Sequence, residues 1–299
     1  MDIKLLFGLL EGELVDISSV KSGLACNCVC PCCGEKLVAK KGEHNEHHFA
    51  HYNTEECKGA TESALHILAK QILEKSMRIT LPPVYLDSDD ILLHPQTEII
   101  FDRVVLERRI KNIIPDLIVY VKDKPLIIEI AVTHFVERKK ISIISEMGYS
   151  AIEINAYGLF HSSFNKGFGV EEFENRLVDG IDYKRWINNL KANLFIEKVK
   201  KPILKKGVID TNMNNHPLIV YDCPLNKRVW ISGYKQGESY ASVFQDCWDC
   251  TFGEIIRQVK SFSDREWTSE GKIIEVNCTS PNKSDLDASI SRYIENQKR

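Results

Sequence analysis

An excess of positive charge is missing from this chain. Its 299 residues carry 39 Lys and Arg against 42 Asp and Glu, a formal net charge of −3, so the chain as a whole does not advertise nucleic-acid binding. No apolar run is long enough to span a bilayer. The opening MDIKLLFGLLEGEL, interrupted by Asp2 and Glu11, is too short and too acidic for a signal peptide. There is no GxxxxGK[ST] loop, so a nucleotide-hydrolysing motor would have to be a separate partner. Internal repeats and extended low-complexity segments are missing too. Hydrophobic (43%) and charged (27%) fractions are ordinary, which excludes disorder of the whole chain. Cysteine, by contrast, is plentiful. Ten cysteines without a secretion signal point to thiols and metal ligands in a reducing compartment, and a cytoplasmic address is expected.

Four pieces are expected along the chain. Residues 1–57 form an N-terminal zinc-binding module, 58–160 an α/β core, 161–208 a helical connector and 209–299 a C-terminal domain containing cysteines. The connector reads as helical around Val170–Leu177 and Tyr183–Val199 and ends in the lysine run Lys198, Lys200, Lys201, Lys205 and Lys206. With Arg108, Arg109 and Lys111, and with Arg138, Lys139 and Lys140, these runs are solvated faces, or phosphate contacts where they flank a reactive site.

The densest chemistry lies between residues 26 and 51, with five cysteines from Cys26 to Cys33 and four histidines from His44 to His51. Cys30-Pro31-Cys32-Cys33-Gly34 has the Cys-x2-Cys-Gly form of a zinc knuckle, in which glycine permits the tight turn that aims both sulfurs at one ion. His48 and His51 are the expected remaining ligands, with His47 and Cys57 as alternatives and Cys26, Cys28 and Cys32 as spare thiols. Four protein ligands make a closed site, which stabilises a fold and performs no chemistry.

The next segment carries the reactive groups. Leu65, Leu68 and Ile72 make an apolar helical stripe, and Glu62, His66 and Lys70 form a row at i, i+4, i+8 along its border. Extended segments follow at Val84–Leu93 and Glu98–Arg109. Ile113–Val121 and Pro125–His134 then read as two strands joined by a Lys-Asp-Lys turn. Asp116 and Glu129 are therefore acids within apolar strands of a central sheet. Two buried carboxylates repel one another and lose hydration, a cost that a divalent cation removes. Strand alternation puts Glu129, Ala131 and Thr133 on one face. A helix from Val136 to Met147 comes next, with Lys140 inside its apolar arc and Lys139 at the border. A lysine there needs a partner for its ammonium, and the acidic pair is the obvious one. The strand Ala151–Ala156 closes the unit.

The run CPCCGEKLVAKKGEHNEHHFAH followed by ESALHILAK resembles the CoiA-like competence protein family, within the PD-(D/E)XK nuclease superfamily. The likeness covers roughly residues 10–160. It implies a restriction-endonuclease-like αβββαβ core, Mg2+ or Mn2+, and DNA as partner. It also implies that Asp116 and Glu129 hold the catalytic ion, with Glu62 on a second ion or a water. Lys140 then orients the nucleophile, and His66, less directly His134, assists. Ala131 stands where the motif's lysine is usual, so Lys140 is read as that lysine migrated to the following helix. The expected activity is metal-dependent hydrolysis of DNA phosphodiester bonds in DNA uptake, repair or defence against foreign DNA, by the chain alone, as a homo-oligomer or with a separate ATP-driven motor. The alternative is a catalytically weak zinc-containing DNA-binding or scaffolding protein.

In the last piece, Cys223, Cys247 and Cys250 supply three ligands of a second zinc site, with His216 and Cys278 as candidates for the fourth. Trp230, Tyr234 and Trp248 are read as core before any binding role.

Overall fold

The two apolar segments between Ile113 and His134 become the middle of the main sheet in the computed structural model. The structure describes residues 4–43, 46–53, 57, 59–86, 91–164, 169–210, 218–258 and 272–297. The chain divides into one compact unit of Met1–Pro82 with Gln96–Leu190, and a second of Pro83–Pro95 with Lys191–Arg299.

The first unit begins with two short antiparallel hairpins. β1 (Phe7–Leu10) pairs with β2 (Glu13–Asp16), and β3 (Leu37–Lys40) pairs with β4 (His48–His51). Helix α1 (Ala60–Ser76) follows and buries Leu65, Leu68 and Ile72 together with Ala64, Ala69 and Leu73. It stops where Met77 turns left-handed and donates its amide to Leu73 O. β5 (Arg78–Leu81) leads into a hairpin of β6 (Val84–Leu86) and β7 (Ile91–His94), which belongs to the second unit. The chain returns through β8 (Thr97–Ile100), paired with β5.

The main sheet then forms from β9 (Arg103–Leu106), β10 (Leu117–Val121), β11 (Lys124–Ala131), β12 (Ser150–Asn155) and β13 (Lys184–Asn188), in spatial order β13-β12-β11-β10-β9. Strands β9, β10 and β11 are an antiparallel meander. Lys122 and Asp123, both at positive φ, make the two-residue turn between β10 and β11, matching the twist of the strands they join. Helix α2 (Arg138–Glu146) crosses over so that β12 runs parallel to β11. Helices α3 (Ala156–Phe164) and α4 (Gly169–Val178) follow. Leu117, Val119, Ile128 and Ile130 join α1 in the larger core, while Ile118 and Ile127 pack with Ile144 of α2. With both faces covered, the strands read as near-continuous apolar runs.

The helix expected over Tyr183–Val199 splits in two. Lys184–Asn188 is strand β13, antiparallel to β12, and only Leu190–Val199 is helical, as α5. Arg185, Trp186 and Ile187 extend the sheet, and Asn188 ends the strand by donating its side-chain amide to Tyr149 O at 2.5 Å. Partition of the chain cuts across the four expected pieces. Residues 161–190 belong with the first unit, whereas 83–95 and 191–208 belong with the second.

β13 also buries a lysine. Lys184 is 7% exposed and donates to Thr80 O at 2.9 Å and to Val178 O at 3.3 Å. Burial pushes its ammonium down to about 7 against the partial support of Asp179. From about pH 7 up to the ordinary lysine value of 10.5, the unfolded chain binds a proton that the folded chain has shed, so stability rises with pH across that window. The thermal midpoint of the wild type is expected to climb between pH 7 and 10. In Lys184→Met that climb should flatten, and an undiminished slope would place its origin elsewhere.

The second unit contains α5 from Lys191 onward, β14 (Leu204–Gly207), β15 (Ile209–Asp210), β16 (Leu218–Tyr221), β17 (Arg228–Val229), β18 (Ser239–Ser242), β19 (Gly253–Gln258), β20 (Lys272–Cys278) and α6 (Lys283–Gln297). Its sheets run β14-β20-β19 and β15-β16-β18-β17. Among its buried side chains are Leu86, Leu93, Ile219, Val243, Phe252 and Leu286. No described helix is long and apolar enough to cross a membrane.

Candidate metal centre and acidic site

The knuckle at Cys30 closes as a tight turn. Gly34, at φ +75°, donates its amide to Cys30 O at 2.9 Å, and the Cys32 amide lies 3.4 Å from Cys30 Sγ. The chain then enters β3, whose register sets Leu37 opposite His51 at the end of β4. His51 thereby returns to the knuckle, with Nε2 3.3 Å from Cys33 Sγ. Cys57, whose carbonyl accepts the Ala60 amide at the start of α1, brings its sulfur within 3.7 Å of Cys30 Sγ. The ligand atoms of Cys30, Cys33, His51 and Cys57 all lie within 4.8 Å of one another. Three thiols and an imidazole are the donor set of a structural zinc site. Burial pushes Cys30 up and Cys57 up to about 12, whereas the Glu35 amide draws Cys33 down. Thiols crowded in this way, one buried and two nearer the surface, fit an ion that displaces their protons.

His48, expected as a ligand, is not in this group. It sits three residues before His51 on the same strand, so alternation turns it to the opposite face, where its Nδ1 donates to Glu46 O at 2.9 Å. Cys57 takes its place. His47 and Cys32 are exposed. Cys26 and Cys28 are buried and spend their thiols on the carbonyls of Leu37 and Cys26.

The acidic site lies at the end of β10 and β11. Leu117 pairs with Ile128, so Asp116, one step earlier, stands opposite Glu129. Asp116 Oδ2 accepts the Ile130 amide at 2.8 Å, and Oδ1 is 3.6 Å from His66 Nδ1 on α1. Burial raises the Asp116 carboxyl, but His66, the Ile130 amide and Lys70 outweigh it and hold it below its ordinary value. Glu129, 3% exposed, is pushed up to about 7 by burial and the neighbouring Asp116 charge, against the pull of Lys140. Lys140 Nζ donates to Glu129 Oε2 at 2.8 Å and to Ile114 O at 3.2 Å. It also lies 2.7 Å from Glu129 Oε1, a buried atom that accepts no hydrogen bond. Lys139 is exposed.

The α1 row runs along the same sheet end. Glu62 Oε1 accepts the Thr133 hydroxyl at 2.7 Å, and His134 Nδ1 lies 2.8 Å from that hydroxyl. Lys70 pairs with Glu107 at 2.6 Å, and the Glu107 amide donates to Asp116 O. The structure thus places Glu62, His66 and Lys70 on three partners around the end of β11.

One acid was missed in the sequence. Glu153 on β12 is the register partner of Glu129 and is 1% exposed. It accepts the Val136 amide and the Arg185 Nε, each at 2.5 Å. Its bond to Val136 fixes the segment that enters α2, and so helps set the position of Lys140. The signal was present: Ile152-Glu153-Ile154 repeats the apolar-acid-apolar pattern of Ile128-Glu129-Ile130.

Residues 17–60 match the family model of the N-terminal domain of competence protein CoiA. That stretch contains all of Cys30, Cys33, His51 and Cys57, so the Cys3His group falls within a CoiA-like segment. The acidic site lies beyond the matched residues. No curated protein and no solved structure matches the chain.

Proposed function

We propose that the chain is a metal-dependent nuclease that hydrolyses DNA phosphodiester bonds. One observation carries this reading: Asp116, the residue before β10, comes opposite Glu129 on β11 when the register is extended by one step, with the ammonium of Lys140 on Glu129. The order α1, β9, β10, β11, α2, β12 supports a PD-(D/E)XK core, with β5 to β8 interposed after α1. Lys140 supplies from α2 the ammonium that Ala131 lacks.

The oxygen donors Asp116 and Glu129, with the Ile130 carbonyl, are of the kind that suits a hard cation such as Mg2+ or Mn2+. Glu62, which accepts the Thr133 hydroxyl, would reach such an ion only by moving or through a water. Glu129 Oε1, buried and receiving no hydrogen bond although it lies 2.7 Å from the Lys140 ammonium, is the atom such an ion would contact. When bound, the cation would supply the positive charge that polarises a phosphate. The chain's own groups do the rest. Lys140, held between Glu129 and Ile114 O, places an ammonium where charge develops on phosphorus-bound oxygens. His66, with Nδ1 3.6 Å from Asp116 Oδ1, helps hold that carboxyl below its ordinary value. The Cys3His group stabilises the module that precedes α1 and takes no part in the chemistry.

The Lys140–Glu129 ion pair also supports a second reading, since it neutralises the buried acid without a cation. A catalytically weak DNA-binding or scaffolding protein would keep that pair for stability. Cleavage of linear, circular and single-stranded DNA in Mg2+, Mn2+ or EDTA decides between them. Lys140→Ala should lower metal-dependent cutting by about 10²-fold, the effect of one well-placed electrostatic group, while exposed Lys139→Ala stays within about twofold. Equal losses in both variants, or a wild type that binds DNA and never cuts, would favour the second reading.

A further inference from the structure

The second unit has a cysteine group of its own. Cys223 lies in the turn after β16, Cys247 ends a π-helical turn (Val243–Cys247), Cys250 lies in the next loop and Cys278 ends β20. These are remote places in the chain, yet all four side chains line one cavity of about 20 Å³. That is room for a single water-sized body. Two of the four approach as knuckles do: Cys247 and Cys250 are separated by two residues, and the Cys250 amide donates back to Cys247 O. Gly253 stands so near that a Cβ there would meet Cys247 O at 3.2 Å and Cys250 Cβ at 3.4 Å. At Cys223-Pro224, the chain turns in the same manner, the Asn226 amide donating to Cys223 O at 2.9 Å.

We infer that Cys223, Cys247, Cys250 and Cys278 form a second structural zinc site, with Cys278 as the ligand that the sequence left open. Each thiol releases its proton on binding, so four thiolates around Zn2+ leave a net charge of −2. Lys206 and Lys227 line the same cavity and offset that charge. Lys206 is fixed there by the carbonyls of Tyr221 and Asp222, immediately before Cys223. The Ser280 amide hydrogen-bonds the Cys278 sulfur, the kind of outer contact that orients a thiolate ligand. Among the described residues, only the N-terminal group has three or more ligand atoms within 4.8 Å. The C-terminal sulfurs are more loosely gathered, and the ion would draw them inward by side-chain rotation. His216, the other candidate fourth ligand, lies outside the described residues.

Elemental analysis of the full chain, purified under reducing conditions, tests the assignment. Two zinc equivalents per chain are expected in the wild type, and about one in Cys250→Ser and in Cys278→Ser. A wild type with one equivalent, or serine variants that keep two, would overturn it. So would zinc lost in His216→Ala but retained in Cys278→Ser, or alkylation and intact mass showing a disulfide among the four. Should the variants fail to fold, X-ray absorption on the wild type still decides. The expected shell is seven sulfur and one nitrogen ligands shared by two ions, and a shell of three sulfurs and one nitrogen on a single ion overturns the site.

Discussion

Asp116→Ala and Glu129→Ala are each expected to abolish metal-dependent DNA cleavage, by about 10²- to 10³-fold or more, the scale on which a key electrostatic group acts. Their effects on stability should diverge. Asp116 is held below its ordinary value by His66 and the Ile130 amide, so its loss removes favourable contacts as well as a ligand. Glu129 is buried and pushed up to about 7, so the folded protein binds a proton there that the unfolded chain has already released above its ordinary 4.5. Stability attributable to this group therefore falls as pH rises from about 4.5 through about 7. Glu129→Gln removes that cost and keeps the shape, and should be inactive yet as stable as the wild type near pH 7. Single-turnover cleavage and thermal denaturation on the same preparations separate the two effects. Cleavage that persists in both alanine variants would remove the acidic site from the reaction.

The second large effect concerns the N-terminal group. Structural zinc contributes about 10–16 kcal/mol of apparent binding free energy in small zinc modules at neutral pH, far more than β1 to β4 gain from their own short pairings. Cys57→Ser and His51→Ala are expected to lose this zinc and to unfold the segment preceding α1. His48→Ala should retain zinc and melt as the wild type does. The contrast is the test, read as zinc content and as amide exchange over residues 30–57. A His48→Ala protein that loses zinc would return that histidine to the ligand set.

How far the sequence could be read depended on which periodicity governed each segment. Helix α1 was legible because Leu65, Leu68 and Ile72 recur at helical spacing, and the same spacing aligned Glu62, His66 and Lys70. Asp116 and Glu129 stood out as charges inside apolar strands. Lys140 was identifiable by its place within an apolar helical arc, and it meets Glu129. His48 is nearer than Cys57 to the knuckle in sequence but not in space. Once HFAH is seen as a strand, His48 and His51 cannot face the same ion. Cys57 enters only through the turn into α1, a contact no local pattern announces. Glu153 gains its meaning only from the parallel pairing of β12 with β11, which the sequence does not announce. β13 was hidden by the lysines and asparagines around Trp186, which extended the helical reading of α5 backward.

The hairpin of β6 and β7 interrupts the first unit but belongs to the second. During synthesis it therefore emerges well before the segment from Lys191 onward that completes its surroundings. Leu86 and Leu93, each 1% exposed in the full chain, must remain uncovered over that interval. The second unit cannot be cut away at one point, since a break at Lys191 strands its hairpin inside the first. A single-cut truncation carrying the acidic site would leave that apolar hairpin without its partners, which favours aggregation. The two units are thus made as one molecule, by the order in which the chain visits them.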